Sequence, residues 1–532
     1  MRLFLKHLKN LFFIIFLVAC GTENIENEII NITRTNISVG IEDEISPTTG
    51  GTLNISMNNP TTLNPIINTD ISVSNVLNLI YEPLFEIENF IANPVLAERL
   101  TVLQDNTSVI VSLANRNWSD GVRVTTNDIL FTINTIRNNP SSPYFELVRY
   151  INNIEIIDST NISFGFSRAI GGRFENYLTF PIIPEHFFSG MLNQRNLQAL
   201  GTGPFMIHSR SFPREMVLIQ NPNVVDRAYI SAIRVIIISD TETNLNALSQ
   251  NIINSFVSNI SDLTRYSFSF VNFNINPLVT NNLDFLAFNF DNIILHNLSL
   301  RAAIAHSLLD RDFIDISYFG LANRTSSIVN SQNSFYKQGL NYYDFDIEKI
   351  TELLHTAGFI EIEENVLGSI VSNVSIPLSL RILVNEENAS RVAISERLKQ
   401  NLENLGINVI LMNLSFEDYK VQIQNRNFDL LFAGTSIGNN FSDLFSSSGV
   451  NNFMNYSSAR LDEYLQEINN AFTIEEYSYL LKNIQTYINE QLPIVGITFI
   501  SNVLLTNQSI VIEGKPSIRN PYNNIREWFI MH

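Results

Sequence analysis

Ser334 and Lys337 stand at the Ser-x-x-Lys spacing, at which a lysine amine can take a serine proton and ready the oxygen for acyl transfer. No Lys-Thr-Gly accompanies them, and their surroundings have loop composition, so an enzyme of this kind is not expected. Neither a nucleophile elbow nor a phosphate-binding loop is expected. The 7 histidines are scattered, with none paired at i, i+4 as a zinc helix requires. His186 and His208 are isolated, and no metal or other cofactor is expected.

Cys20 carries a different chemistry. As the single cysteine of 532 residues it excludes an internal disulfide and any Cys-x-x-Cys site. Arg2, Lys6 and Lys9 precede the short apolar run Leu11 to Val18, and Leu17-Val18-Ala19-Cys20 has the small-residue pattern of a cleavage site. The run is too short to span a bilayer. It resembles a bacterial lipoprotein signal, which implies that the Cys20 thiol accepts a diacylglycerol and that the body lies outside the cytoplasm, held by lipid. Residues 21–50 are polar and without period, as in a flexible tether.

The elements that must position any site follow from length and pattern. The chain is long enough for two or three domains, with 45% apolar and 16% charged residues. A net charge of −19 without a basic stripe argues against nucleic acid. Gly51 to Ser56 and Val109 to Leu113 read as strands, and Ser119-Asp120-Gly121 as a turn. Thr125 and Asp128 mark a helix start. Ile347, Ile350, Leu354 and Ala357 line one face of a helix from Asp346 to Gly358. Ile394, Leu398, Leu402 and Leu405 do so from Arg391 to Gly406, before a strand at Ile407 to Leu411. Phe428 to Phe432 is a buried-strand candidate in which Asp429 reads as a partnered structural carboxylate. Thr473 and Glu476 form a capping box on the second of two further helices, which Pro493 ends. In Gly201-Thr202-Gly203-Pro204 the glycines are expected to permit unusual dihedrals. This alternation is that of an α/β protein.

Several ordered segments resemble the family 5 extracellular solute-binding proteins of the oligopeptide, dipeptide and nickel type. They are Met57 to Pro65 with Tyr81-Glu82-Pro83-Leu84, Trp118 to Gly121 with Thr125 to Ile129, Gly201 to Phe205 with Asn221-Pro222-Asn223, and Phe288-Asn289 with Leu300 to Ala305 and Asp310-Arg311. Leu353 to Phe359 and Phe428 to Leu430 complete the set. The resemblance implies a two-lobed periplasmic-binding-protein type II fold with a hinge, an interlobe cleft and an inserted domain. Lobe I would comprise 51–88, 200–280 and 507–532, the inserted domain 89–199, and lobe II 281–506.

The same resemblance implies a monomeric receptor that delivers a small solute, in the first instance a peptide, to the membrane permease of an ABC importer. A non-peptide solute, such as a metal chelate or a sugar, is the alternative, with an extracytoplasmic hydrolase or envelope scaffold behind it. In peptide-binding relatives the ligand lies between two backbone segments, which match Met57 to Pro60 and Gly434 to Asn440 here. Asn58, Asn59, Thr435, Ser436, Ile437, Asn439 and Asn440 are the expected contacts. The acid that holds a peptide ammonium in those relatives has no counterpart in the second segment. Trp118 reads as packing rather than as a ligand platform.

Overall fold

The computed structural model describes residues 46–531, apart from 89–90, 168–169, 191–197, 225, 260–271, 309–310, 319 and 438–440. Cys20 with its signal, most of the 21–50 tether, Asp310, Asn439 and Asn440 lie outside the described residues. Strand β1 (Thr52–Met57) buries Leu53, Ile55 and Met57, the period of 2 that puts one strand face in a core. It leads to helix α1 (Ile71–Leu77), capped by Asp70. A separate antiparallel sheet follows, made of β2 (Ala97–Val102), β3 (Ser108–Leu113), β4 (Ile151–Ile156) and β5 (Asn161–Phe166) in the order β2-β3-β5-β4. Helix α2 (Thr126–Arg137) packs against it, and the Asp128 carboxylate accepts the Thr125 N–H at 2.8 Å as the cap pattern requires.

Most of the remaining strands build one sheet of 11 strands among the described residues. They are β6 (Phe205–Ser211), β7 (Glu215–Gln220), β8 (Ala232–Ile237), β9 (Ser255–Asn259), β10 (Phe273–Phe288), β11 (Ser379–Asn385), β12 (Asn408–Leu414), β13 (Leu430–Ser436) and β14 (Ile494–Asn507). With β1, their order is β12-β11-β13-β10-β14-β9-β1-β8-β7-β6, and the short strand Asn323–Arg324 also pairs with β14. Two strands are long enough to serve both bodies. The first half of β10 pairs with Ser501 to Asn507 of β14, and its second half with Ile494 to Phe499. The register shifts between Val279 and Leu283, a bulge at the crossing from one lobe to the other.

Packing separates the bodies. One core joins β1, the small sheet and the C-terminal segment through residues such as Leu53, Val109, Ile129, Phe164, Leu218 and Trp528. In the second body alternate residues of β13 enter different cores. Leu430 and Phe432 pack beneath helices α3 (Ile347–Thr356) and α4 (Ala389–Glu403). Leu431 and Ala433 pack beneath α5 (Ala459–Asn469) and α6 (Ile474–Gln491). A strand covered on both faces needs apolar side chains at every position, which explains the unbroken run Leu430-Leu431-Phe432-Ala433.

Some sequence expectations change in detail. Ile347 is exposed, so the apolar face of α3 begins at Ile350. The Glu476 carboxylate accepts the N–H of Phe472 at 2.9 Å, one residue before the cap. Gly201 and Gly203 are not held by special dihedrals. They lie against the backbone of Leu79 and Ile80, where the Gly203 N–H donates to Ile80 O at 2.8 Å and the Phe205 N–H to Leu79 O at 3.0 Å. The motif segments meet there. Ser119 N–H donates to Gly201 O, Asn221 Nδ2 to Gly203 O and Asn223 Nδ2 to Trp118 O, all at 2.8–2.9 Å. They form a scaffold knot, and Trp118 is fully buried within it.

Candidate functional site

Strand register shows where a cleft must lie. β1 runs parallel to β9, β9 antiparallel to β14, and β14 antiparallel to β10, so β1 and β10 share one direction. β13 runs antiparallel to β10. The carboxyl ends of β1 and β13 therefore point toward each other. Ile55 pairs with Ser255, and continuing that register puts Met57 level with Asn276, whereas Ser436 pairs with Asn282. Those levels are roughly 20 Å apart along β10, the first before the bulge and the second within it. Ligands of open α/β sheets bind outside strand carboxyl ends, and here two such ends, one per lobe, run toward the same stretch of β10 from Asn276 to Asn282.

Asn58 and Asn59 leave the end of β1, the first half-buried and the second exposed. Thr435 and Ser436 end β13, opposite Leu283 and Asn282, and are half-buried and exposed. Ile437 donates its N–H to Asn281 O at 2.8 Å and stays partly buried against the lobe II core. These five thus lie on the two facing strand ends, with Asn439 and Asn440 beyond description.

Asp70 was not foreseen at the site. Asn58 Nδ2 donates to its Oδ2 at 2.8 Å, while Oδ1 accepts from Ser72 Oγ at 2.9 Å and from the Val73 N–H at 3.1 Å. Burial pushes this carboxyl up, and the bonds from Asn58, Val73 and Ser72 outweigh it, so Asp70 sits below the usual carboxylate value. An ionised carboxylate only accepts. The Asn58 amide must face it with its NH2, which turns Oδ1 away as a fixed acceptor. An Asp before an apolar run signals a helix cap, but nothing in the sequence links it to a residue 12 positions earlier.

On the facing side, Arg391 and Asp284 form a buried pair of 2.6 Å against Gly434. A methyl group on Gly434 would collide with both, so the glycine makes room for the pair beside the strand end. Asp284 Oδ2 also accepts the Tyr318 hydroxyl at 2.7 Å. Burial opposes the charge on Arg391, but Asp284 beside it holds its pKa above the ordinary value. The site edge therefore carries a guanidinium already neutralised by its own lobe.

Other chemical candidates lie elsewhere. Ser334 is exposed in a turn. Gly434-Thr435-Ser436-Ile437-Gly438 does have the Gly-x-Ser-x-Gly spacing, contrary to the expectation of no elbow. Ser436, however, stays in strand register instead of occupying a strained turn. Asp429 lies at the opposite end of β13, bonded to the N–H, Nε and Nη2 of Arg381. His186 pairs with Asp120 at 2.8 Å on the surface. Among the described residues, no group of three or more His, Cys, Asp or Glu could hold a metal ion, and no helix is long and apolar enough to cross a membrane.

Comparison with known proteins agrees with this architecture. A binding protein of Brucella melitensis is 25% identical over 154 residues, a match that spans 27% of this chain and 25% of that protein. The ABC transporter substrate-binding protein CtaP of Listeria monocytogenes has a similar structure, with TM-score 0.74 and 22% identity, over 91% of this chain and 100% of that one. The oligopeptide-binding protein AppA of Bacillus subtilis, solved with a nonapeptide, gives 0.60 and 18%, over 92% and 100%. NikA of Brucella suis, solved with Fe(III)-EDTA, gives 0.70 and 18%, over 90% and 100%. Such likenesses establish the two-lobed type II binding-protein fold. Residues 92–454 match the middle region that defines one family, and on that match the chain belongs to the bacterial extracellular solute-binding proteins, family 5.

Proposed function

We propose that this chain is the extracytoplasmic receptor of an ABC importer, monomeric and lipid-anchored through Cys20, and that it captures a peptide between its lobes. The observation that carries the reading is the convergence of two strand ends, Asn58-Asn59 and Thr435-Ser436-Ile437, across the β10–β14 crossing. An extended peptide can lie along such ends through main-chain bonds that ignore its side chains. Lobe I (51–88, 200–280, 507–532, with the insert 89–199) and lobe II (281–506) close over it. Closure then presents the complex to the permease, and no bond of the solute is broken. In AppA the bound ligand is a peptide, which supports the same class here. Calorimetry against a mixed library of tri- to nonapeptides tests this. Saturable binding is expected, and no heat with any peptide would end the peptide reading.

A second reading, a hydroxyl-rich or chelated solute, draws on the site chemistry itself. The described contact side chains Asn58, Asn59, Thr435 and Ser436 are neutral hydrogen-bonding groups. NikA, with its bound metal chelate, supports that breadth. Mass spectrometry of solute carried through native purification separates the two readings.

Asp70→Asn is informative for either. Asparagine caps a helix as well as aspartate, so stability should change by less than about 0.5 kcal/mol. The replacement side chain can donate as well as accept, so Asn58 is no longer held in one orientation. Affinity for the captured solute should fall by about tenfold. An unchanged dissociation constant by calorimetry would remove Asp70 and Asn58 from the site.

A further inference from the structure

Away from the crossing strands the two bodies meet a second time. The segment after β5, in the inserted domain, starts from Ile170, which is buried in the lobe I core. Gly171 and Gly172 follow with φ of +63° and +66°, a left-handed succession that only glycines adopt at little cost. The Gly171 N–H donates to Ala471 O of lobe II at 2.9 Å. The Arg173 guanidinium lies 3.6 Å from the ring centre of Tyr477, close enough for a strong cation–π contact. Both side chains are buried, and Tyr477 in turn meets the Phe335 ring edge-on at 5.4 Å within the lobe II core. A methyl group on Gly171 would stand 3.0 Å from Tyr477 Cβ, so this glycine serves the approach as well as the turn.

We propose that Ile170 to Arg173 and Ala471 to Tyr477 form a latch that fastens the lobes apart from the crossing strands and must part before solute enters. The inserted domain shares one core with lobe I, and the bodies are joined covalently at the β10 and β14 crossing. Rotation about the Val279–Leu283 bulge consequently draws Gly171 away from Ala471. Parting exposes a buried ring and rehydrates a buried guanidinium. None of the latch residues belongs to the strand ends that would contact solute. The latch therefore acts on the open–closed balance alone, and it stabilises the empty closed and filled closed forms alike. This goes beyond the receptor reading and rests on it only for the lobes being mobile.

The test is a staple. A Cβ built on Gly172 lies 3.8 Å from Ile474 Cβ, the separation of a disulfide. Gly172→Cys with Ile474→Cys, in the full chain carrying Cys20→Ser, should close under oxidant. Association with the peptide library should then slow at least about 100-fold until reductant is added. No disulfide, or unchanged association in the oxidised protein, overturns the proposal. Arg173→Ala leaves both glycines in place and covers the case of a misfolded staple. It should raise the association and dissociation rates together by about tenfold, with little change in their ratio, and expand the ligand-free particle. Rates and dimensions equal to those of the parent protein would also overturn it. That expansion, read by X-ray scattering, needs no ligand, so a failure of peptide capture would leave it decisive for the latch.

Discussion

Asp284→Ala is expected to destabilise lobe II by about 3–5 kcal/mol, because it strands the Arg391 charge in the interior without its partner. Asp284 is 0% exposed, and its two oxygens serve Arg391 Nη2 and the Tyr318 hydroxyl. Tyr318 follows the helix Arg311–Ser317 and Arg391 lies in α4, so one carboxylate ties two helices to the central strand β10. Burial, with Asp284 adding to it, drives the Tyr318 hydroxyl far above its usual pKa. The hydroxyl therefore acts as a neutral donor, and it too loses its acceptor in the variant. Removing both ends of the pair should cost much less. Asp284→Leu with Arg391→Met should recover most of the loss, since a buried pair and an apolar pair of similar volume are often near parity.

Urea unfolding can localise the effect. Trp118 and Trp528 both belong to the lobe I core, so tryptophan fluorescence reports that body, while far-UV circular dichroism reports both. The dichroism transition of Asp284→Ala should begin at lower urea with the tryptophan transition less affected. Equal shifts in the two signals, or a loss below about 1 kcal/mol, would contradict the buried-charge account.

The fold was legible wherever local pattern and burial coincide. Asp346, Thr473 and Gly358 marked helix ends because capping and left-handed φ are decided within a few residues. The run Phe428 to Phe432 announced a buried strand, although the strand itself starts at Leu430 and extends to Ser436. What the pattern could not disclose is pairing across distance. The register that aims β1 and β13 at one another depends on β9, β10 and β14, drawn from three separate stretches of chain.

The site shows the same division. Asn58, Asn59, Thr435, Ser436 and Ile437 were named from the family resemblance, and they lie at or just beyond the ends of β1 and β13. Asp70, Arg391 and Asp284 were missed because each owes its place to tertiary contact. Asp70 lies 12 residues from Asn58, and Arg391 lies 107 residues from Asp284. Asp284 in particular sits in a sequence, Asn282-Leu283-Asp284-Phe285, that offers no sign of a guanidinium beside it. A buried charge without a local partner is a fair pointer to such a pair, but not to its identity.

Gly201→Ala separates two accounts of the Gly201-Thr202-Gly203-Pro204 segment. If freedom of φ were the reason for glycine, alanine would cost about 1–2 kcal/mol, the usual penalty for a left-handed residue. Gly201 has no positive φ, however, and its added methyl group would lie well inside the Ile80 carbonyl oxygen. Ile80 cannot withdraw without weakening the Gly203-to-Ile80 and Phe205-to-Leu79 hydrogen bonds, while Gly201 O is itself held by the Ser119 N–H. Overpacking and two strained bonds together predict a loss of about 3–5 kcal/mol, seen by tryptophan fluorescence because Trp118 lies in the same knot. Gly190→Ala supplies the contrast. Gly190 has φ of +82° and open space around its α-carbon, so alanine there should cost only the dihedral penalty. Equal losses in the two variants would mean that conformation, and not the close approach to Leu79 and Ile80, selects glycine at position 201.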